Sequence, residues 1–254
     1  MSTAKLEFDV EMTCQSCVNS VERALRNLDV KKVEIDLNNQ QVVVETSLPY
    51  SEILRHIEQT GRRAVLKGYG SISGGAAVAE IFGKNGIMGI VRFAHINDRS
   101  CIIDGTVDGL KGEHGLHICE FGDLTNDCEN VGGHYNPSNK MHGSPEDNER
   151  HYGDLGNIRA DKNGRAVFRK EDSTVKVWEI IGRSLVITEH KDDLGRGDNE
   201  RSKIDGNSGQ KLACGIIARS AGLFQNPKRI CLCDGVSVWD EREKPVAGES
   251  RAKY

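Results

Sequence analysis

Apolar and polar positions change rhythm twice along the chain. Leu6, Phe8 and Val10 alternate with polar residues, the period of a half-buried strand. Val18, Val21, Leu25 and Leu28 then recur at helical spacing. Val33, Ile35 and Leu37 alternate again, Asn38-Asn39 reads as a turn, and Val42 and Val44 continue as a hairpin partner. Ser51, after Pro49, is the expected N-cap of a helix carrying Ile53, Leu54 and Ile57. Gly61 ends that helix, and Ala64-Val65-Leu66 forms a last strand.

This βαββαβ order predicts an α+β domain of ferredoxin-like type over residues 1–67. Gly68-Tyr69-Gly70-Ser71-Ile72-Ser73-Gly74-Gly75 reads as flexible, and a linker is expected at 68–77. Helical period then almost vanishes. Short β-rich runs recur at 87–95, 100–107, 114–121, 165–169, 174–180, 184–189 and 212–219, and predict an all-β sandwich or barrel over 78–222. Asn163-Gly164 is a hairpin signal. The aperiodic stretch 122–154 is long enough to suggest a functional loop. Residues 223–254 form a short, mostly irregular tail with too few apolar residues to fold alone.

The net charge of −4 and aromatic content of 5% lack the basic, stacking surface of a nucleic-acid binder. No window of apolar residues is long enough to span a bilayer. The start, MSTAKLEFDV, has no basic residues leading into an apolar run, so a cytoplasmic, reducing location is expected. There, eight cysteines need a reason. Two tight pairs, Cys14-Gln-Ser-Cys17 and Cys231-Leu-Cys233, point to metal or redox chemistry rather than structural bridges.

Cys17 falls in the first helical turn, where the dipole favours thiolate. Two soft thiolates suit Cu(I); zinc would want four ligands, and only His56 is added by this domain. A plain dithiol redox motif or inert cysteines are the alternatives. Met12, Cys14 and Cys17 match the MxCxxC loop of small copper chaperones and of the metal-binding modules of copper-transporting ATPases, which residues 5–67 resemble. The resemblance implies Cu(I) on Cys14 and Cys17, with Met12 packed beneath the loop.

His134, His142, His151 and Asp154 lie close in sequence and could close a tetrahedral Zn2+ site, or be solvated loop residues. The stretches around them resemble copper–zinc superoxide dismutase. They are 112–123, Gly133-His134-Tyr135-Asn136-Pro137, 149–157, Asp192-Asp193-Leu194-Gly195 and Leu212-Ala213-Cys214-Gly215. The likeness covers about 85–220 and implies a dimerising Greek-key barrel. It further implies zinc on His134, His142, His151 and Asp154, Asp192 steadying the ligands, and a Cys128–Cys214 disulfide. The copper set departs from that family. Only His117 and His134 remain, Cys119 and Thr188 take the other two positions, His190 lies two residues on, and Lys211 replaces an arginine. Dismutase activity is therefore not expected.

Cys231 and Cys233 on extended backbone would project to one face and could chelate Cu(I), exchange disulfides, or be ordinary surface residues. Residues 212–228 and the three-block order resemble the family of copper chaperones that serve superoxide dismutase. That resemblance implies delivery of Cu(I) to copper–zinc superoxide dismutase through a heterodimer, with Cys231 and Cys233 transferring copper and promoting the target's disulfide. It also implies a homodimer through the barrel, with Phe121-Gly122-Asp123 and Ile181-Gly182-Arg183 at the surface. A membrane copper importer would be the copper source, and the mitochondrial intermembrane space a second location. The rivals are a thiol–disulfide oxidoreductase and a passive copper buffer. Cys101 has no expected role beyond a buried thiol.

Overall fold

The computed structural model describes residues 2–70, 75–97 and 99–226. The first domain runs β1 (Ala4–Val10), α1 (Gln15–Arg26), β2 (Val30–Asp36), β3 (Gln41–Thr46), α2 (Tyr50–Glu58) and β4 (Ala64–Gly70). Its antiparallel sheet has the order β2-β3-β1-β4. Leu6, Phe8 and Val10 pack against Val21, Leu25, Ile53 and Ile57, as the apolar rhythm requires. Two local expectations change. Helix α2 begins at Tyr50 with Pro49 as its cap, so Ser51 lies inside the helix. Strand β4 continues through Gly70, because β1 offers ladder partners as far as Lys5↔Gly70.

That extension shortens the expected linker. Gly68, Tyr69 and Gly70 belong to a buried strand, and β5 (Ala76–Gly83) already begins at 76. Only residues 71–75 lie between the two strands, and 71–74 are outside the described residues.

The second domain is one eight-stranded antiparallel sheet of order β10-β7-β6-β5-β12-β11-β8-β9. After β5 come β6 (Met88–His95), β7 (Cys101–Asp108), β8 (Glu113–Cys119), β9 (Asp154–Arg159), β10 (Arg165–Asp172), β11 (Ser184–Thr188) and β12 (Lys211–Arg219). It encloses an apolar core that includes Ile81, Val91, Phe93, Leu116, Ile118, Leu185 and Ile217. Three readings are corrected. β5 and β9 escaped the sequence pattern. The run 174–180 contains a short helix, α3 (Val177–Ile180), rather than a strand. Asn163-Gly164 does make a turn, with Gly164 at φ 83°, but β9 and β10 stand at opposite ends of the strand order instead of pairing as a hairpin. A second short helix, α4 (Ser202–Asp205), lies in the connection from β11 to β12.

The two domains are packed together. The outer face of β6, β7 and β10 meets the end of the first sheet that carries Ala4, Thr46 and Gly70. Ala94 and Ile102 join the first domain's core. Asp104 Oδ2 accepts from the Tyr50 amide at 3.0 Å and the Tyr69 hydroxyl at 3.1 Å. Arg169 donates to the carbonyls of Ser2, Thr46 and Leu48 and to Tyr69 Oη. Because β1 runs from this contact toward Val10, the loop 11–14 lies at the opposite end of the strand, about 20 Å away at roughly 3.3 Å per residue.

Candidate metal sites

Cys14 caps α1 in extended conformation, and Cys17 sits in the first turn, its amide bonded to the Cys14 carbonyl at 3.0 Å. The two sulfurs are 3.6 Å apart. The Cys17 thiol is drawn down to about 6: the Thr13 amide bonds to it, and the Cys14 amide and the Thr13 hydroxyl add to that pull against burial. No acidic residue in the first turn opposes the thiolate. Met12 is 2% exposed and packs in the core beside Cys17. Gln40 ties down the loop by donating to the Met12 carbonyl at 3.0 Å. The arrangement is a preorganised pair of soft ligands with one thiol exposed for exchange.

In the barrel, His134, His142, His151 and Asp154 converge, their ligand atoms all within 4.8 Å of one another. Their Nδ1 atoms lie 2.8, 3.0 and 3.2 Å from Asp154 Oδ1. The buried Nδ1 atoms of His142 and His151 make no hydrogen bond. Burial would raise the Asp154 pKa, but the three imidazoles outweigh it and hold the carboxyl far below its usual range. Three inward-facing nitrogens and one carboxylate, two of the nitrogens unsatisfied, fit a tetrahedral Zn2+ site. Asp192, fully buried, accepts from Nε2 of His142 and of His117, each at 2.8 Å. That fixes the tautomer of both rings and leaves their Nδ1 lone pairs free.

The neighbouring cavity, about 390 Å³, is lined by His117, Cys119, His134, Thr188, Arg201 and Lys211 among others. The rings of His117 and His134 stack at 3.9 Å. Cys119 is 1% exposed and its thiol is pushed up to about 12 by burial, so it offers no ready thiolate. Thr188 is committed to structure, its hydroxyl donating to Gly115 O and its carbonyl accepting from His114 Nδ1. His190 is exposed beside Glu189 and does not fill the missing position. Lys211 caps the carbonyls of Glu129 and Gly132.

Cys128 and Cys214 form a disulfide. Phe121 and Ile216 are exposed, and Gly122 lies so close to the Gly182 carbonyl that a Cβ there would stand 2.3 Å from it. Arg183 donates to Glu120 O at 2.7 Å and covers the Tyr135 ring, joining the two segments 121–123 and 181–183 into one surface. Cys231 and Cys233 lie outside the described residues. Sequence reasoning missed the Asp104–Arg169–Tyr69 contact; its signal was an aspartate following the apolar Cys101-Ile-Ile run.

A paired-thiol loop on an α+β domain, packed against a barrel that gathers three histidines and an aspartate, defines a metal-handling protein. Residues 7–63 match the heavy-metal-associated domain, and residues 87–217 match copper/zinc superoxide dismutase. The chain is 56% identical over 251 residues to a copper chaperone for superoxide dismutase from Homo sapiens, covering 97% of this chain and 92% of that one. It is 40% identical over 241 residues to the chloroplastic copper chaperone for superoxide dismutase of Oryza sativa subsp. japonica, covering 92% of this chain and 70% of that one. The barrel alone is 48% identical over 141 residues to superoxide dismutase [Cu-Zn] 5 of Dictyostelium discoideum, covering 54% of this chain and 93% of that one. The chain belongs to the family of copper chaperones for superoxide dismutase.

Proposed function

We propose that the chain carries Cu(I) on Cys14 and Cys17 and delivers it to copper–zinc superoxide dismutase. The observation that carries this reading is the pairing of a dithiol preset at 3.6 Å with a barrel in which Cys119 and Thr188 line the cavity beside His117 and His134. A barrel that cannot cycle copper but retains a dismutase surface suits recognition. It would take one subunit's place in a heterodimer through Phe121, Gly182 and Ile216, and pair with a second copy by the same face. Zn2+ on His134, His142, His151 and Asp154 would hold the loop 122–154 in shape.

Cys231 and Cys233 are the hand-over pair. Thiolates passing Cu(I) from one pair to another never release a free ion. In the disulfide step, dioxygen first takes two electrons from the Cys231–Cys233 dithiol to leave it oxidised, and a partner thiolate then attacks that disulfide to give a mixed disulfide. The partner's second thiolate then displaces the tail, so two electrons move from partner to tail and both tail thiols leave reduced. A membrane importer would supply the copper, with the cytoplasm and the mitochondrial intermembrane space as locations.

The test is complex formation with zinc-loaded, disulfide-reduced dismutase. A one-to-one complex that Phe121→Glu abolishes, with copper binding at Cys14 and Cys17 retained, supports the reading. A complex indifferent to Phe121→Glu removes the surface assignment.

A further inference from the structure

The barrel's last strand does not simply release the chain into solvent. Past β12, Ser220 donates to the Ala76 carbonyl at 3.0 Å, and the chain crosses onto the outer face of the first domain's sheet. There it makes a turn. The Gln225 amide meets Gly222 O at 3.3 Å, and Gln225 Oε1 accepts from the Gly222 amide at 3.0 Å. Leu223 is 1% exposed and Phe224 sits at φ 59°, a left-handed conformation unusual for an aromatic residue.

The turn is held by Glu7. On β1, Glu7 faces away from the first domain's core, where a glutamate would ordinarily be solvated. It is 1% exposed. One carboxylate oxygen accepts from the Phe224 amide at 2.6 Å and the other from Gln41 Nε2 at 2.7 Å. Its ladder partner is Gly68. A Cβ at Gly68 would stand 2.6 Å from the Glu7 carboxylate, 2.8 Å from Gly222 O and 3.0 Å from Leu223 Cα, so this seat needs a glycine.

We infer that Glu7 and Gly68 form an anchor that roots the tail on the copper-binding domain, within reach of Cys14 and Cys17 of the same chain. Glu7 is a positioning residue in this role. The inference rests on reading Cys231 and Cys233 as the hand-over pair. Cys231 follows Phe224 by seven residues, and Cys14 follows Glu7 by seven. Seven residues of chain, roughly 25 Å at full extension, separate each cysteine from the anchor. Rooted only at Arg219, the tail to Cys231 would be twelve residues long. Effective concentration falls roughly as the −3/2 power of tether length, so the shorter tether favours the encounter by about two- to threefold.

The experiment uses the full chain with Cys17→Ser and Cys233→Ser, leaving Cys14 and Cys231 as the reactive pair; Cys101 and Cys119 are buried. The rate of intrachain cross-linking by a short bismaleimide is read by intact mass at high dilution. Glu7→Ala, Gly68→Val and Leu223→Ser are each expected to slow it about two- to threefold. Glu7→Gln, which keeps an acceptor for the Phe224 amide, should restore the parent rate. The same substitutions in the chain with all cysteines intact should leave Cu(I) affinity at Cys14 and Cys17 unchanged, which separates lost anchoring from misfolding. Equal rates in parent, Glu7→Ala and Leu223→Ser overturn the anchor even if the intact chain activates dismutase. Slowed rates in a chain that fails to activate dismutase uphold the anchor and remove the delivery reading instead.

Discussion

Two Asp–Arg pairs on the same two strands should behave oppositely when broken. Asp104 pairs with Arg169, and Asp108 with Arg165, across β7 and β10. Distance alone favours the second: Arg165 grips Asp108 at 2.6 and 2.9 Å, while Arg169 Nη1 is 3.6 Å from Asp104. Burial reverses the ranking. The Arg165–Asp108 side chains are 56% and 43% exposed, those of Arg169 and Asp104 only 4% and 0%. Asp104→Ala would strip the acceptor from the Tyr50 amide and the Tyr69 hydroxyl and leave both donors buried under the first domain. Two buried donors left unsatisfied cost about 2–6 kcal/mol together, while Asp108→Ala costs about 1 kcal/mol or less. The assay is hydrogen exchange at α2 and β4 amides in the zinc-loaded protein, supported by urea unfolding. Protection lost in Asp104→Ala and kept in Asp108→Ala is the expected pattern; equal effects would refute the argument from burial. Burial also pushes Asp104 up to about 6, against the pull of the Tyr50 amide and Arg169. Docking therefore takes up a proton, is strongest below about pH 4, and weakens as pH rises through 6. Asp104→Asn should flatten that dependence.

Three further expectations follow from the metal sites and the disulfide. Because the Cys17 thiol is drawn down to about 6, the fall of Cu(I) affinity with acidity should steepen by one further power of ten per pH unit below that value, as a competition titration would show; an unchanged slope would mean that Cys17 is not a ligand. Asp192→Ala, which frees the Nε2–H of His142, should weaken Zn2+ binding about 10- to 100-fold by chelator competition. Replacing Cys128 and Cys214 by serine opens a link across 86 residues and should lower barrel stability by about 4–5 kcal/mol, measured by denaturant unfolding.

The first domain was legible because its strands and helices are amphipathic: Leu6, Phe8, Val10, Val21 and Leu25 each declare one buried face. The zinc-type quartet was legible as four ligand residue types in one loop, although only the fold shows their nitrogens converging on Asp154. β9 was hidden because it follows the long loop directly and begins with Asp154, a member of the quartet. The linker was overextended because Gly68 and Gly70 look flexible, whereas each is a close-contact position, against Glu7 and the tail in one case and Ala94 in the other. Glu7 and Asp104 were illegible for a shared reason. Each lies on a sheet face that one domain alone would leave to water, and only the second domain or the returning chain buries it. Pattern reading assigns faces within a domain, so contacts between domains fall outside its reach.

The central claim is transfer of copper to dismutase, and its most direct test is activation in the presence of a Cu(I) chelator. The chain carrying one equivalent of Cu(I) is mixed with zinc-loaded, disulfide-reduced copper–zinc superoxide dismutase under oxygen, and dismutase activity is followed. Activation that survives the chelator, and is lost when Cys231 and Cys233 are replaced by serine, is the predicted result. No activation while Cys14 and Cys17 still hold copper would contradict delivery and leave a copper buffer.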